Sequence, residues 1–83
     1  MPDAAIRARL ERVFHDVFDD ESIVLRSDMT AADVDGWDSL EHINLIIAVE
    51  REFRIRFATA EILGLKNVGE FKGLIAAKLA SSR

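Results

Sequence analysis

Reactive chemistry in this 83-residue chain gathers around Ser39, which follows Asp38, precedes Leu40 and Glu41, and stands one helical turn from His42. A hydroxyl and an imidazole at that spacing suggest a nucleophile with its base. A hydrolase, however, also needs an oxyanion hole and a pocket that excludes water, and a chain of this length supports one compact core with little room for either. Each histidine instead has acidic residues at helical distance, Asp38 or Glu41 for His42 and Glu11 or Asp19 for His15, so both read as surface or boundary groups. No metal site is expected. Two histidines without a cysteine make a poor zinc site, and a calcium loop with Gly36 at its sixth position would start on Ala31 and end on His42, without the acidic end ligands. The absence of cysteine also removes disulfides and any thiol nucleophile of the protein's own. Thioester chemistry would need an imported thiol.

What remains for Ser39 is its position. Asp38 followed three residues later by Glu41 forms a capping-box pattern, so a helix is expected over 39–54 with Ser39 in its first turn. Free backbone amides and the helix dipole there favour a negatively charged group on or beside the serine. An isolated Asp-Ser pair reads as no more than a helix cap, so the surrounding elements decide its meaning.

Ile6, Leu10, Val13, Phe14, Val17 and Phe18 recur at steps of three and four and predict an amphipathic first helix over 3–18, which Asp3 could cap. Periodicity is then lost through residues 19–37, where Ser27, Asp28, Thr30, Asp33, Asp35 and Gly36 supply turn chemistry and Ile23, Leu25 and Met29 anchor the loop. A loop this long in so small a domain is usually functional. In the second helix Leu40, Ile43, Ile47 and Phe53 mark the core stripe, widened by Leu45, Ile46 and Val49; the apolar stretch 43–49 is too short to cross a bilayer and is assigned to the core. Residues 54–57 form an extended link. Thr59 then caps a short helix over 60–63 that Gly64 ends, and Asn67 with Glu70 opens a last helix, to about residue 80, whose core face is Val68, Phe71, Leu74, Ile75 and Leu79. Trp37 is expected to pack the loop onto the bundle with partial exposure. The expectation is an all-α fold, a four-helix bundle with a long first loop and a short third helix, forming one domain over 1–83 without internal repeats.

Charge is spread unevenly. Residues 1–18 are balanced, residues 19–41 sum to −7 and residues 42–83 to +3, for a net −4. An acidic block of this kind is usually a solvated loop, but it can also steer basic partners. Nucleic acid is excluded as a partner, since it needs a basic stripe. Charged residues interrupt the N-terminal apolar positions, so no secretory signal is read, and a cytoplasmic monomer without membrane insertion is expected.

Residues 36–45, Gly-Trp-Asp-Ser-Leu-Glu-His-Ile-Asn-Leu, resemble the attachment motif of acyl carrier proteins, with Asp-Ser-Leu opening the second helix. Ile46, Ile47, Val49, Glu50-Arg51-Glu52-Phe53 and the later Asn67-Val68-Gly69-Glu70-Phe71 are similar to the family as well, so the resemblance covers nearly the whole chain. It implies that a phosphopantetheinyl transferase attaches 4'-phosphopantetheine from coenzyme A to Ser39 as a phosphodiester, and that the arm's thiol then carries acyl groups. The chain would be a discrete, stand-alone carrier and a substrate, not an enzyme. Its partners would be acyl-activating, ketosynthase or acyltransferase-type enzymes. Asp38 and Leu40 would flank the attachment point, Asp38 as cap and as a carboxylate for partner cations or a transferase-bound magnesium, Leu40 as a core or partner-pocket anchor. Asp35, Trp37, Glu41 and Asn44 would lie on the partner surface.

The chain departs from the best-known fatty-acid carriers in two ways. Asn44 stands where they usually place a docking glutamate, and Glu61 is the sole acid of a third helix that is strongly acidic in them. With Arg51, Arg54 and Arg56, these departures point to polyketide, specialised lipid or mixed peptide synthesis. Two rivals stand beside this reading. One is an aminoacyl or peptidyl carrier, whose motif usually reads Gly-Gly-His-Ser; the other is an unmodified helical interaction module in which Ser39 only starts a helix.

Overall fold

A computed structural model describes residues 3–34 and 36–81. The described residues form four α-helices and one short 3-10 turn, with no strand among them. We label the helices α1 (Asp3–Phe18), α2 (Ser39–Phe53), α3 (Thr59–Leu63) and α4 (Val68–Ser81); the 3-10 turn, Ala31–Asp33, lies within the α1–α2 loop. No helix among these residues is long and apolar enough to cross a membrane.

α1 packs against both α2 and α4. It buries Ile6, Leu10, Val13 and Phe14, while Val17 and Phe18 sit half-buried at the core's edge. From α4 come Val68, Phe71 and Ile75, with Leu79 packed alongside. The loop contributes Ile23, Leu25 and Met29 as expected, and Val34 in addition. Its backbone is tied down at both sides. The Glu11 carboxylate of α1 accepts the Leu25 amide at 2.9 Å, His15 Nε2 meets the Ile23 carbonyl at 2.7 Å, and the Val68 and Gly69 amides of α4 donate to the Met29 and Ser27 carbonyls at 2.9 and 2.8 Å. The loop therefore satisfies helix-terminal amides that α4 cannot satisfy itself.

The stripe expected for α2 is corrected by the structure. Leu45, Ile46, Val49 and Phe53 are buried, but Leu40, Ile43 and Ile47 are 66%, 57% and 44% exposed. Apolar residues run around most of this helix, so periodicity offers two candidate faces, and packing on α1 selects one. The apolar stretch 43–49 is accordingly split between core and solvent.

Smaller corrections follow the same logic of local satisfaction. Ala58, not Thr59, occupies the cap of α3; its amide donates to the Glu61 carboxylate at 2.7 Å and Thr59 is already helical. At α4 Asn67 Oδ1 accepts the Glu70 amide at 2.8 Å as expected, while the Glu70 carboxylate reaches one residue further back, to the Lys66 amide. α2 ends one residue early because Arg54 turns left-handed at φ 56, which lets the Ile55 amide reach the Glu50 carbonyl.

The division of α2 is measurable by equilibrium denaturation. Leu45→Ala, at a fully buried site, is expected to cost about 2–5 kcal/mol, whereas Ile47→Ala, two residues away, should cost under about 1 kcal/mol.

Candidate functional site

The site is built where the loop meets the first turn of α2. Gly36 takes φ +85, a conformation open to glycine at little steric cost, and its carbonyl accepts the Asp38 amide at 3.0 Å. Asp38 is extended and caps the helix. Its side chain accepts the Glu41 amide at 2.8 Å and its carbonyl accepts the His42 amide at 2.8 Å. Only half of the predicted capping box is in place, since the Glu41 carboxylate accepts Asn44 Nδ2 at 3.3 Å. Ser39 is the first helical residue and is exposed. The Ser39 and Leu40 amides lie in the turn that no helix carbonyl reaches and form part of the positive end of the helix dipole.

Trp37 holds this corner. Its ring meets Phe14 of α1 edge-on at 5.2 Å and Phe18 at 6.0 Å, and stacks on His42 of α2 at 6.1 Å. Its Nε1–H donates to His42 Nδ1 at 3.1 Å. An indole can only donate, so His42 presents a lone pair at Nδ1. The acidic partners expected for the histidines are thus replaced by Trp37 for His42 and by the Ile23 carbonyl for His15, and both residues are half-buried at the edge of the packed loop. Trp37 is half-buried, as anticipated.

A cavity of about 680 Å³ opens beside Ser39 and Asp38. Its apolar wall comes from Trp37, Ile43, Ile62, Leu63, Leu65 and Phe71, with Lys66 at the same cleft. α3 forms one side of it. Glu50 positions the approach to α3 by accepting the Phe57 amide at 2.9 Å, Phe57 packs on Phe71 at 5.8 Å, and Lys78 of α4 pairs with Glu61 at 2.7 Å. Hydrogen bonding from Lys78 first, then from the Ala58 amide, holds the Glu61 carboxyl below the usual carboxylate range.

Of the residues singled out from sequence, Trp37, Asp38 and Ser39 share this cleft, whereas Leu40, Glu41 and Asn44 stand outside it on the solvent side of α2. Asp35 lies outside the described residues. No group of three or more metal-ligating side chains is found among the described residues. Sequence reasoning missed the cleft itself. Its signal was the apolar pair Ile62-Leu63 on a helix too short to bury both, and Leu63 is indeed 79% exposed.

A four-helix fold with a capped serine at the head of its central helix defines a carrier-type bundle. No protein-family profile and no curated protein matches the chain. Among solved structures it is similar to the holo acyl carrier protein from Geobacter metallireducens, at 47% identity over 90% of this chain and 86% of that one, with a TM-score of 0.85. The chain belongs to the acyl carrier protein family, and its function is acyl carriage.

Two outcomes test the site's construction. Asp38→Ala should lower stability by about 1 kcal/mol in denaturant melts, with Asp38→Asn recovering most of it. The lowered Glu61 value means that the contribution of its carboxylate is present above the ordinary glutamate range and is lost as pH falls through the lowered value. On acidification, the protection factor of the Ala58 amide, its exchange corrected for the intrinsic pH dependence, should therefore fall over that window, and Lys78→Met should remove most of the step.

Proposed function

We propose that Ser39 is the attachment point for 4'-phosphopantetheine in this chain. The observation that carries the reading is an exposed serine hydroxyl at the first position of α2, beside an apolar cleft, in a chain 47% identical to a carrier known in its holo form. Ser39 Oγ would attack the diphosphate of coenzyme A on a separate transferase. A phosphorus–oxygen bond to serine forms, the diphosphate linkage breaks, the adenosine bisphosphate half departs, and the hydroxyl proton passes to a base of the transferase. When bound, the arm supplies the thiol that a cysteine-free chain lacks.

The residues present fit such a group. The free amides and dipole at the head of α2 favour the phosphodiester charge, Lys66 offers a cation at the same cleft, and the apolar wall can receive the less polar part of the arm or its cargo. Asp38 orients the serine by capping its helix, and Trp37 fixes the corner against α1. Asp35, Trp37, Glu41 and Asn44 remain the proposed partner-facing residues, and Leu40 joins them by its exposure.

The pathway we favour is polyketide, specialised lipid or mixed peptide synthesis, because Asn44 and the exposed Arg51, Arg54 and Arg56 give the surface a different charge pattern from that of a uniformly acidic carrier. Phosphopantetheinyl transferase and acyl-loading or condensing enzymes are its proposed partners.

Intact mass after incubation with coenzyme A, magnesium and a broad-specificity phosphopantetheinyl transferase tests the reading. The wild type is expected to gain one phosphopantetheine and Ser39→Ala none. A folded wild type that gains nothing, beside a control carrier that does, would refute it.

A further inference from the structure

His42 follows Ser39 by three residues in α2, so the two share one face of the helix and the histidine side chain leans back towards the serine. Both border the cleft, as do Trp37 and Lys66. Trp37 Nε1–H donates to His42 Nδ1 at 3.1 Å, and the two rings lie within 22° of parallel. Because an indole only donates, the neutral imidazole must carry its own proton on Nε2. The contact thus selects one tautomer, with its N–H on the ring edge turned away from the tryptophan. That N–H is idle. Nε2 makes no hydrogen bond among the described residues, and none of their buried side-chain nitrogens or oxygens lacks a partner, so Nε2 of this half-buried residue is open to solvent. The carboxylates nearest in sequence are turned elsewhere, Asp38 to the Glu41 amide and Glu41 to Asn44 Nδ2.

We propose that His42 binds the arm by donating its Nε2–H to a phosphate oxygen of the phosphodiester on Ser39, and that Trp37 is the positioning residue that holds the imidazole in the tautomer able to do so. The inference rests on Ser39 being the attachment point. Asp38 makes such a donor useful, because its carboxylate borders the same cleft and repels a phosphate. The free amides at the head of α2 meet the phosphate from the helix end. His42 meets it from the side of the cleft, and so favours an arm that enters the cleft over one that extends into solvent. In the other tautomer Nε2 would present a lone pair to the anion and the contact would turn repulsive. A single hydrogen bond at a solvent-reachable site holds the arm reversibly, so a partner enzyme can still draw it out.

The protein is labelled with heavy nitrogen and studied by NMR at about pH 8, where an ordinary imidazole is neutral, before and after loading with coenzyme A, magnesium and a broad-specificity transferase. Long-range proton–nitrogen spectra of the apo wild type should show His42 in the Nε2–H form. Loading should shift His42 Nε2 and leave His15 unmoved, since the Nε2 of His15 already meets the Ile23 carbonyl. Both readings are made on the wild type, so neither depends on a variant folding. Trp37→Phe, which keeps a ring without the N–H donor, should mix the tautomers of His42. In the loaded proteins the phosphorus resonance of Trp37→Phe and of His42→Phe should move from the wild-type position towards that of a phosphopantetheinylated serine peptide. His42→Gln, whose amide supplies both an acceptor for Trp37 and an N–H for the phosphate, should stay close to the wild type. A purely structural His42 would change the melting temperature and leave the phosphorus resonance in place. An apo wild type in the Nδ1–H form would overturn the proposal, as would a loaded wild type whose His42 Nε2 does not shift or a His42→Phe variant whose phosphorus resonance matches the wild type. A wild type that gains no mass, beside a control carrier that does, would refute Ser39 as the attachment point and take this inference with it; a wild type that loads at Ser39 without the His42 response refutes this inference alone.

Discussion

Everything in this molecule follows from how little of its central helix it can bury. In a chain of 83 residues the ratio of surface to volume leaves one core, and α2 enters it by one side only, through Leu45, Ile46, Val49 and Phe53. Had the chain a further layer, Leu40, Ile43 and Ile47 would be core as well. Without one they remain in solvent, where isolated apolar residues are ordinary but an aligned row beside an exposed serine is not. The same shortage leaves α3 too small to close over its neighbours, and the gap it leaves becomes the cleft beside Ser39.

Placement of Ser39 depends on the long loop behaving as structure. A loop of nearly twenty residues would be expected to move, yet this one is fastened at successive points: Glu11 and His15 hold its first half to α1, Ser27 and Met29 receive the first amides of α4, and Trp37 packs between Phe14, Phe18 and His42 at its end. Each fastening satisfies a polar group that would otherwise be left without a partner. Trp37 is the decisive one, because it joins α1 to the first turn of α2 both by aromatic contact and by a hydrogen bond to His42. The serine is presented by a fastened corner while its own side chain stays exposed, which suits the attachment role proposed for it.

Much of this was legible in the residues. α1 was bounded correctly because its apolar positions leave a single wet face, and the loop anchors Ile23, Leu25 and Met29 were readable as lone hydrophobes in a polar stretch. The motif around Ser39 was legible because the cap, the turn glycine and the helix start are all local. Two things were not. The orientation of α2 depends on which of two apolar faces meets α1, a tertiary choice that periodicity cannot make. The histidine partners and the cleft arise between elements distant in sequence, and the cap of α3 fell to Ala58 because Glu61 reaches back to its amide whatever residue stands there.

These constraints together shape the electrostatics that a partner meets. The acidic block precedes α2, and the arginines follow its middle, so the exposed side of the helix changes sign along its length instead of being uniformly acidic. Sign alone selects weakly, because exposed charges are screened and worth little one by one. What distinguishes this side of α2 is the order of its residues, acid beside the serine, then apolar side chains, then arginine, more than its net charge. That order reaches solvent only because the bundle leaves the helix half uncovered, with Leu40, Ile43 and Ile47 outside the core.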